Sequence, residues 1–268
     1  MWEEIRRQAA RAAASGALHK IETTAAIIDD GGIAFVVRCA TQLKKEDAAK
    51  AAGAGDPFAR PEPDLFVADV SATHFALLNK YNVLECHLLL VTREDIDQDE
   101  PLDEADFEAL ALCMADQPVL GFYNGGAAAG ASQRHKHLQV VRLPLSPGRA
   151  IPMEALIEND ALGRVPFRHA FARLGHAGDP SRQGQALLAR YRALCEAMEL
   201  RSQPYNLLVT RDWMLLVPRT RASFEGIPAN SLAFAGALFV RDEDELRTVE
   251  RLGPMAVLRG VALPKDPT

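Results

Sequence analysis

Polar side chains stand at every second position in one short segment of the chain. His135, His137 and Gln139 alternate in this way within the string RHKHLQVV, residues 134–141. Because alternate side chains of a β-strand lie on one face, this spacing predicts a strand that presents two imidazoles and an amide together, with neighbours about 6–7 Å apart. The segment therefore predicts a strand with one chemically competent face.

Glycine-rich sequence comes just before this strand. Asn-Gly-Gly occupies residues 124–126, and Gly130 follows four positions later. Glycines let backbone N–H groups approach phosphate oxygens without a side-chain collision, and Ser132 and Gln133 add polar donors at the mouth of the turn. A neutral imidazole is a good nucleophile toward phosphorus when its far nitrogen is held as a donor. The segment therefore suggests a phosphate cradle beside a histidine nucleophile.

A His-x-His pair also occurs without catalysis. On spacing alone it is more often a surface pair, a satisfied core histidine or an opportunistic metal site. The preceding glycine turn, and the presence of Gln139 on the same strand face, give a catalytic role the same weight as these alternatives together.

Periodicity along the rest of the chain predicts interspersed helices and strands. Apolar residues at helical spacing predict helices over residues 1–18, 103–114, 153–157, 185–198 and 242–252. Strand patterns cover residues 33–37, 74–78, 87–92, 205–210 and 213–217, the last two forming a hairpin with a two-residue turn. Residues 44–63 are predicted to form a long loop, either a surface insertion or a lid, and residues 142–184 an irregular crossover. This arrangement indicates an antiparallel α+β fold.

The composition excludes several classes of function. With 268 residues, 48% of them hydrophobic, the chain is long enough for one large domain or two small ones. Its net charge of −6 argues against general nucleic-acid binding, which needs a broad basic face. No apolar run approaches the ~20 residues that span a bilayer, and early acidic residues disfavour a targeting peptide, so we expect a cytoplasmic protein. The four cysteines form no C-x-x-C pair, which disfavours a zinc knuckle or redox dithiol.

Residues 124–139 resemble the active-site sequence of a known enzyme family. Their Asn-Gly-Gly, Gly-Ala-Ser-Gln and His-x-His-x-Gln elements are similar to those of diadenosine tetraphosphate phosphorylases. These enzymes are the ATP adenylyltransferases of the histidine-triad and galactose-1-phosphate uridylyltransferase superfamily. Residues 79–91, 205–219 and 230–264 resemble further segments of the same family, so the resemblance covers nearly the whole chain.

The resemblance implies both a fold and a set of site residues. The fold would be α+β: a histidine-triad-like antiparallel sheet with flanking helices in a catalytic lobe over residues 1–178, and a smaller C-terminal lobe over residues 185–264. His137 would be the nucleophile, His135 would support the site, and Gln139 would stand where histidine-triad hydrolases have a third histidine. The substrate-binding residues implied in the same way are Asn79, Lys80, Asn124, Gly130, Ala131, Ser132, Gln133, Gln139, Tyr205 and Asn206.

The chain departs from the family pattern at two places. Arg134 stands where proline commonly precedes His-x-His, and alanines at 127–129 replace a more polar segment. One of the lysines at 44–45 is a candidate for a phosphate-binding lysine of the family. Strand alternation predicts that Lys136 faces outward, and Arg211 at the hairpin tip is expected in solvent.

The resemblance implies phosphorolysis of diadenosine 5′,5‴-tetraphosphate to ATP and ADP, and its reverse, through an adenylyl-histidine intermediate. Inorganic phosphate would remove AMP from His137, and Gln139 in place of a third histidine would disfavour activation of water. Mg²⁺ is a candidate companion of the polyphosphate, although the sequence shows no carboxylate cluster dedicated to it. No organic cofactor is expected. Two alternatives stay open: a hexose-1-phosphate uridylyltransferase, disfavoured by the missing C-x-x-C pair, and a nucleotide-binding protein without turnover.

Overall fold

The computed structural model describes residues 1–40, 55–175 and 178–265 of the chain. The α-helices in these residues are α1 (Trp2–Ser15), α2 (Glu104–Met114), α3 (Glu154–Glu158), α4 (Pro180–Ala197), α5 (Ser231–Phe234), α6 (Glu243–Leu252) and α7 (Pro254–Val261). The strands are β1 (His19–Lys20), β2 (Thr24–Asp30), β3 (Ile33–Cys39), β4 (Phe66–Asp69), β5 (His74–Leu78), β6 (Tyr81–Asn82), β7 (Leu88–Thr92), β8 (Val119–Gly125), β9 (His137–Arg142), β10 (Ala170–Arg173), β11 (Tyr205–Val209), β12 (Trp213–Pro218), β13 (Ser223–Phe224), β14 (Ile227–Pro228) and β15 (Ala237–Val240). Among the described residues, no helix is both long and apolar enough to cross a lipid bilayer.

Eight of these strands form one antiparallel sheet. Their order is β10-β12-β11-β8-β9-β7-β5-β4, and every neighbouring pair runs antiparallel. The strand that begins at His137 therefore lies near the middle of the sheet, between β7 and β8. The predicted α+β class with an antiparallel sheet is confirmed.

A second, three-stranded sheet joins the beginning of the chain to its end. Its order is β15-β3-β2, with β15 parallel to β3 and β2 antiparallel to it. In the large sheet, β11 likewise pairs with β8. Strands that follow residue 185 thus complete both sheets, and the two segments predicted as separate lobes share their hydrogen-bonded ladders.

The large sheet is covered on both faces, so β7, β8 and β11 are buried along their whole length, and β9 is buried except at the half-buried Gln139 and Arg142. Leu207, Met214 and Leu138 belong to an apolar core together with residues of α1, α2 and α4. Leu208 and Trp213 belong to a second core together with β3 and β15. Successive residues of one strand, such as Leu207 and Leu208, enter different cores, as the period of two requires.

Local signals account for the helix starts. Asp103 accepts a hydrogen bond from the N–H of Asp106 at 3.0 Å, and the Asp106 carboxylate accepts one from the N–H of Asp103 at 2.8 Å. This reciprocal pair caps α2 and confirms the helix predicted over residues 103–114. In α4 the cap is Asp179 with Pro180 as first helical residue, five positions earlier than the apolar periodicity predicts.

Several elements were not predicted, among them β2, β8, β10, β15 and α7. The strand β10 lies inside the segment expected to be an irregular crossover and pairs with β12 at the edge of the large sheet. The helix predicted over residues 242–252 ends at Leu252, as expected, and Pro254 is the first residue of a further helix, α7. The hairpin turn at Arg211 and Asp212 is confirmed, because the N–H of Thr210 bonds to the carbonyl of Trp213 at 2.9 Å.

Candidate active site

The backbone of His137 is fixed by a neighbouring loop. Its N–H donates to Gln98 Oε1 at 2.8 Å, and Gln98 Nε2 donates to the carbonyl oxygens of Asn124 at 2.9 Å and His137 at 3.2 Å. The buried Gln98 amide therefore ties the start of β9 to the end of β8, where the glycine turn begins. His135 lies just before β9, and its backbone forms an isolated antiparallel β-bridge with that of Asp97.

The ring of His137 is held in one tautomer. Its Nδ1 donates to the carbonyl oxygen of His135 at 2.8 Å, so Nε2 is the nitrogen that carries the lone pair. Burial is the largest cause that lowers the pKa of His137, to about 4, and the bond to the His135 carbonyl opposes that shift. The imidazole is therefore neutral at pH 7, which is the state that a nucleophile toward phosphorus needs.

Both ring nitrogens of His135 are engaged by the protein. Nδ1 lies 2.7 Å from Asp56 Oδ2, and Nε2 lies 2.8 Å from the carbonyl oxygen of Thr92. The side chain is buried. This arrangement suits the supporting role predicted for His135, whose own carbonyl holds the ring of His137.

Gln139 is anchored through its side-chain carbonyl oxygen. His87 Nε2 lies 2.8 Å from Gln139 Oε1, and Asn79 Nδ2 lies 3.2 Å from His87 Nδ1. Because His87 occupies the carbonyl oxygen, the amide N–H groups of Gln139 are the part that can serve a ligand.

A cavity of about 180 Å³ opens beside His137 and Gln139. Its apolar wall is formed by Phe58, Leu65, Leu77, Leu78 and Leu89. Its polar lining comes from Asn79, Lys80, Glu62, Ser132 and Gln133. The Phe58 ring lies edge-on to the imidazole of His137, with centroids 5.2 Å apart. His137 is thus only 3% exposed and still borders an open cavity. An apolar wall with a polar rim is typical of small-molecule sites.

Two glycines shape the turn between β8 and β9. Gly126 has a φ of +92° and Gly130 a φ of +91°. A Cβ on Gly126 would lie 2.3 Å from Asp99 Oδ1, and one on Gly130 would lie 2.9 Å from the carbonyl oxygen of Ala229. The turn keeps this shape only with glycine at both positions.

The predicted phosphate cradle divides into two parts. The N–H groups of Gly130 and Ala131 donate to carbonyl oxygens within the turn itself, at 3.0 and 3.2 Å. Both residues border a different cavity, of about 210 Å³, whose lining does not include His137. Ser132 and Gln133 line the cavity of His137. The structure therefore brings the later pair to the nucleophile and keeps the earlier pair out of its cavity.

A buried polar network holds the glycine turn from behind. Asn206 Nδ2 donates to Asn124 Oδ1 at 2.9 Å and to the carbonyl of Ala129 at 2.8 Å. The N–H and hydroxyl of Ser231 also donate to Asn124 Oδ1, at 3.0 and 2.7 Å. Although the resemblance implied that Asn124 and Asn206 bind substrate, their side chains are bonded inside the protein and do not line the cavity of His137.

Tyr205 and Arg219 are likewise interior residues. The hydroxyl of Tyr205 lies 2.7 Å from that of Tyr191, in the core below α4. Arg219 is 3% exposed and donates to uncharged oxygens, among them Asn206 Oδ1 and the Ala129 carbonyl. Burial lowers the pKa of Arg219 to about 10, so the guanidinium stays cationic at pH 7.

The prediction that Lys136 faces solvent is wrong. The side chain points to the opposite face from the histidines, as alternation requires, but α2 covers that face. Its Nζ lies 2.6 Å from Asp106 Oδ2 and donates to the carbonyl of Pro101 at 2.8 Å. Arg211 is exposed, as expected, and donates to carbonyl oxygens at the end of α2.

Four residues that contact this site were not singled out from the sequence. Gln98, His87, Phe58 and Asp56 come from other strands and loops and reach the site only through the fold. The one local signal was His87, which stands at the start of a predicted strand and immediately before its apolar run.

Part of the predicted loop over residues 44–63 lies outside the described residues, including both candidate lysines at 44–45. Its described end runs along the cavity. There Phe58 and Glu62 join the lining, and Lys80 Nζ lies 2.6 Å from Glu62 Oε1. This end of the loop is therefore a wall of the site.

Known families match almost the whole chain. The Ap4A phosphorylase N-terminal domain family matches residues 1–159, and the ATP adenylyltransferase C-terminal domain family matches residues 163–264. Diadenosine 5′,5‴-P1,P4-tetraphosphate phosphorylase 2 of Saccharomyces cerevisiae is 31% identical over 240 residues, which cover 73% of this chain and 72% of that protein. Protein APA1 of the same yeast is 29% identical and covers 70% of each chain.

Solved structures show the same fold. The crystal structure of yeast Ap4A phosphorylase Apa2 superimposes with a TM-score of 0.83 and 24% identity, over 99% of this chain and 98% of that one. Structures of the same yeast enzyme in complex with Ap4A and with AMP give TM-scores of 0.81 each over the same shares, at 23% and 24% identity.

Proposed function

Because this chain belongs to the Ap4A phosphorylase and ATP adenylyltransferase family, we propose that it catalyses the phosphorolysis of diadenosine 5′,5‴-tetraphosphate to ATP and ADP, and the reverse reaction. One observation carries the chemistry. His137 is neutral, its Nδ1 is held by the His135 carbonyl, and it borders a cavity together with Gln139.

In the first step Nε2 of His137 attacks the α-phosphorus of one adenylyl group. The bond from that phosphorus to the bridging oxygen breaks, and ATP leaves with the electron pair. AMP stays bound through the new N–P bond. The ring then carries positive charge, and the Nδ1–H bond to the His135 carbonyl stabilises it.

In the second step an oxygen of inorganic phosphate attacks the same phosphorus. The N–P bond breaks, ADP leaves, and the neutral imidazole is restored. Gln139 donates its amide protons to phosphoryl oxygens and, because an amide has no useful pKa, does not activate water. This favours transfer to phosphate over hydrolysis.

The cavity supplies the binding surface in this scheme. The base lies against the apolar wall at Phe58 and Leu77, and Asn79 and Lys80 lie at the rim near the ribose or phosphates. Ser132 and Gln133 meet the polyphosphate. Asn124, Gly130, Ala131, Tyr205 and Asn206 contribute by holding the turn and sheet that position these groups.

A divalent cation enters this proposal with the substrate. Mg²⁺ keeps several waters and binds chiefly to phosphate oxygens, so it needs few protein ligands. Asp56, Asp95 and His135 bring donor atoms within 4.8 Å of one another. However, Asp56 is bonded to His135, and Asp95 lies 3.5 Å from Arg134. These groups fit an outer contact to substrate-bound Mg²⁺ better than a resident site. A cytoplasmic location and the lack of a nucleic-acid partner stay predictions from the sequence.

Mass analysis of the intact protein tests the proposal. Mixed with the dinucleotide and no phosphate, the protein should gain the mass of one AMP, and the His137→Ala variant should gain none. Adding phosphate should discharge the adduct as ADP. Unchanged mass with retained nucleotide would instead identify a binding protein, and steady turnover in water alone would identify a hydrolase.

The same variant gives a kinetic check. His137→Ala should lose about 10⁴-fold or more of the turnover, because the nucleophile itself is removed. Its melting temperature should stay close to that of the parent, since the ring lines a cavity.

A further inference from the structure

Three polar side chains form a row beneath the cavity of His137. Asn79 Nδ2, His87 Nδ1, His87 Nε2 and Gln139 Oε1 follow one another, with contacts of 3.2 and 2.8 Å at the two ends of the imidazole. His87 is 8% exposed, and its ring packs against Phe122 with centroids 5.9 Å apart. The packed ring of His87 therefore connects Asn79, at the rim of the cavity, to Gln139, beside the nucleophile.

The chemistry of the row fixes the direction of its hydrogen bonds. An amide nitrogen only donates, so Asn79 Nδ2 donates to His87 Nδ1. The imidazole proton then resides on Nε2, which donates to Gln139 Oε1. Gln139 can accept there only through its carbonyl oxygen, so its two N–H groups must lie on the other side of the amide.

The geometry points to His87 as a positioning residue for adenylyl transfer, one that fixes which end of the Gln139 amide meets the phosphoryl group. This inference rests on the proposed function. A flipped amide would set its carbonyl oxygen against the phosphate oxygens, which are also acceptors, and would repel the group it should stabilise. Without His87 the two orientations differ little in energy, and a donor that must first be oriented contributes less in the transition state.

A matched pair of variants tests this role. His87→Gln keeps a donor at about the position of Nε2, whereas the shorter His87→Asn keeps an amide that does not reach Gln139. We expect His87→Asn to lower the rate of adduct formation about 10-fold or more, with a much smaller change in KM, and His87→Gln to recover most of that loss. His169→Leu is the control, because His169 is a half-buried histidine bonded to the Phe167 carbonyl, outside the lining of the cavity.

A double-mutant cycle with Gln139→Leu shows whether His87 acts through Gln139. In the Gln139→Leu background, His87→Asn should have almost no further effect on adduct formation, because the amide that it positions is gone. Additive losses, or equal rates for His87→Asn and His87→Gln, would overturn the inference. If His87→Asn does not fold, His87→Phe, which keeps the ring and its packing on Phe122, takes its place in the same cycle.

The outcomes separate this inference from the proposed function. A parent protein that forms neither adduct nor products rejects the function itself. If the parent forms the adduct and the His87→Asn variant forms it at the same rate, only the positioning role is rejected.

Discussion

The buried imidazole of His137 couples the chemistry of the site to the stability of the fold. Its pKa is about 4 in the folded protein and 6.5 in the ordinary reference state. Below pH 6.5 the imidazole of His137 is protonated in the unfolded chain, whereas in the folded chain it stays neutral down to about pH 4. The folded state therefore loses stability as the pH falls through this window, by about 3 kcal/mol at pH 4.

Denaturant unfolding of the parent and of His137→Gln checks this coupling. The variant should lose about 3 kcal/mol less than the parent between pH 7 and pH 4, since glutamine does not titrate. Equal pH dependence in the two proteins would mean that the ring of His137 is hydrated and its pKa close to the ordinary value.

The choice between phosphate and water as acceptor belongs to Gln139. Gln139→His places a group with a useful pKa two residues along the same strand face from the nucleophile, where it can take a proton from water. We expect the share of AMP among the products, relative to ADP, to rise about 10-fold or more at fixed phosphate. An unaltered AMP to ADP ratio would show that Gln139 does not set the acceptor.

Strand alternation predicted which site residues lie together only where those residues are close in sequence. The shared face of His137 and Gln139 followed from the period of two. The bond from His87 to Gln139 did not, because the two residues are 52 positions apart in the chain. Asn124 and Asn206 matched a nucleotide-binding motif, yet they lie opposite each other on β8 and β11 and bond to each other.

At the scale of elements, a buried charge cluster fastens α2 to the sheet behind the histidines. Asp106 lies 2.6 Å from Lys136 Nζ and 3.0 Å from His74 Nε2, and all three side chains are buried. Burial raises the pKa of Asp106, but the bonds to His74 and Lys136 outweigh it, so the pKa is lowered overall. The carboxylate is thus stable in the core only while its partners remain.

Lys136→Met should therefore destabilise the protein by about 3–5 kcal/mol, because the Asp106 carboxylate is left in the core without its lysine. Lys20→Met is the control. Lys20 and Glu85 are exposed and 3.5 Å apart, and breaking such a pair costs about 0–1 kcal/mol. Equal midpoints and slopes of urea unfolding for the two variants would contradict the fastening role of the cluster.

The glycine turn allows backbone strain to be separated from close packing. Gly130 and Gly148 both have φ near +90°, but only Gly130 faces neighbours that a Cβ would strike, whereas Gly148 has nothing within 4 Å. Both alanine variants should lose about 1 kcal/mol or more from strain. Gly130→Ala should lose further stability and also raise KM for the dinucleotide, since the shifted turn carries Ser132 and Gln133. Equal losses and an unchanged KM would show that the turn absorbs the methyl group.

Capping and turn chemistry made several elements predictable, and tertiary contacts decided the rest. Asp103 and the Arg211 turn carry their own signals, so α2 and the β11–β12 hairpin were found. The strand β10 is only four residues long, and its pairing with β12 alone makes it a strand. Lys136 looked like a surface residue because nothing in its neighbourhood showed that α2 would cover it.

At the scale of the whole molecule, the two predicted lobes are joined by their sheets. The pairing of β8 with β11 and of β3 with β15 crosses the boundary between residues 178 and 185. The family resemblance gave the order of the segments but not this interlocking, because pairing between distant strands leaves no local signal. The site depends on it, since the glycine turn is held by Asn206 and Ser231 from beyond the boundary.

The two tryptophans of the chain test whether this interlocking makes one cooperative unit. Trp2 lies in one core and donates to the Cys113 carbonyl, and Trp213 lies in the other and donates to Glu154. Trp2 belongs to the first predicted lobe and Trp213 to the second, and each reports on the core in which it lies. Because both sheets contain strands of both predicted lobes, neither lobe can unfold without breaking strand pairs that it shares with the other. The single-tryptophan variants Trp2→Phe and Trp213→Phe should each show a fluorescence midpoint in urea equal to their own circular-dichroism midpoint. A fluorescence transition that precedes the circular-dichroism transition in either variant would mean that the lobes unfold separately and that the shared strands do not couple them.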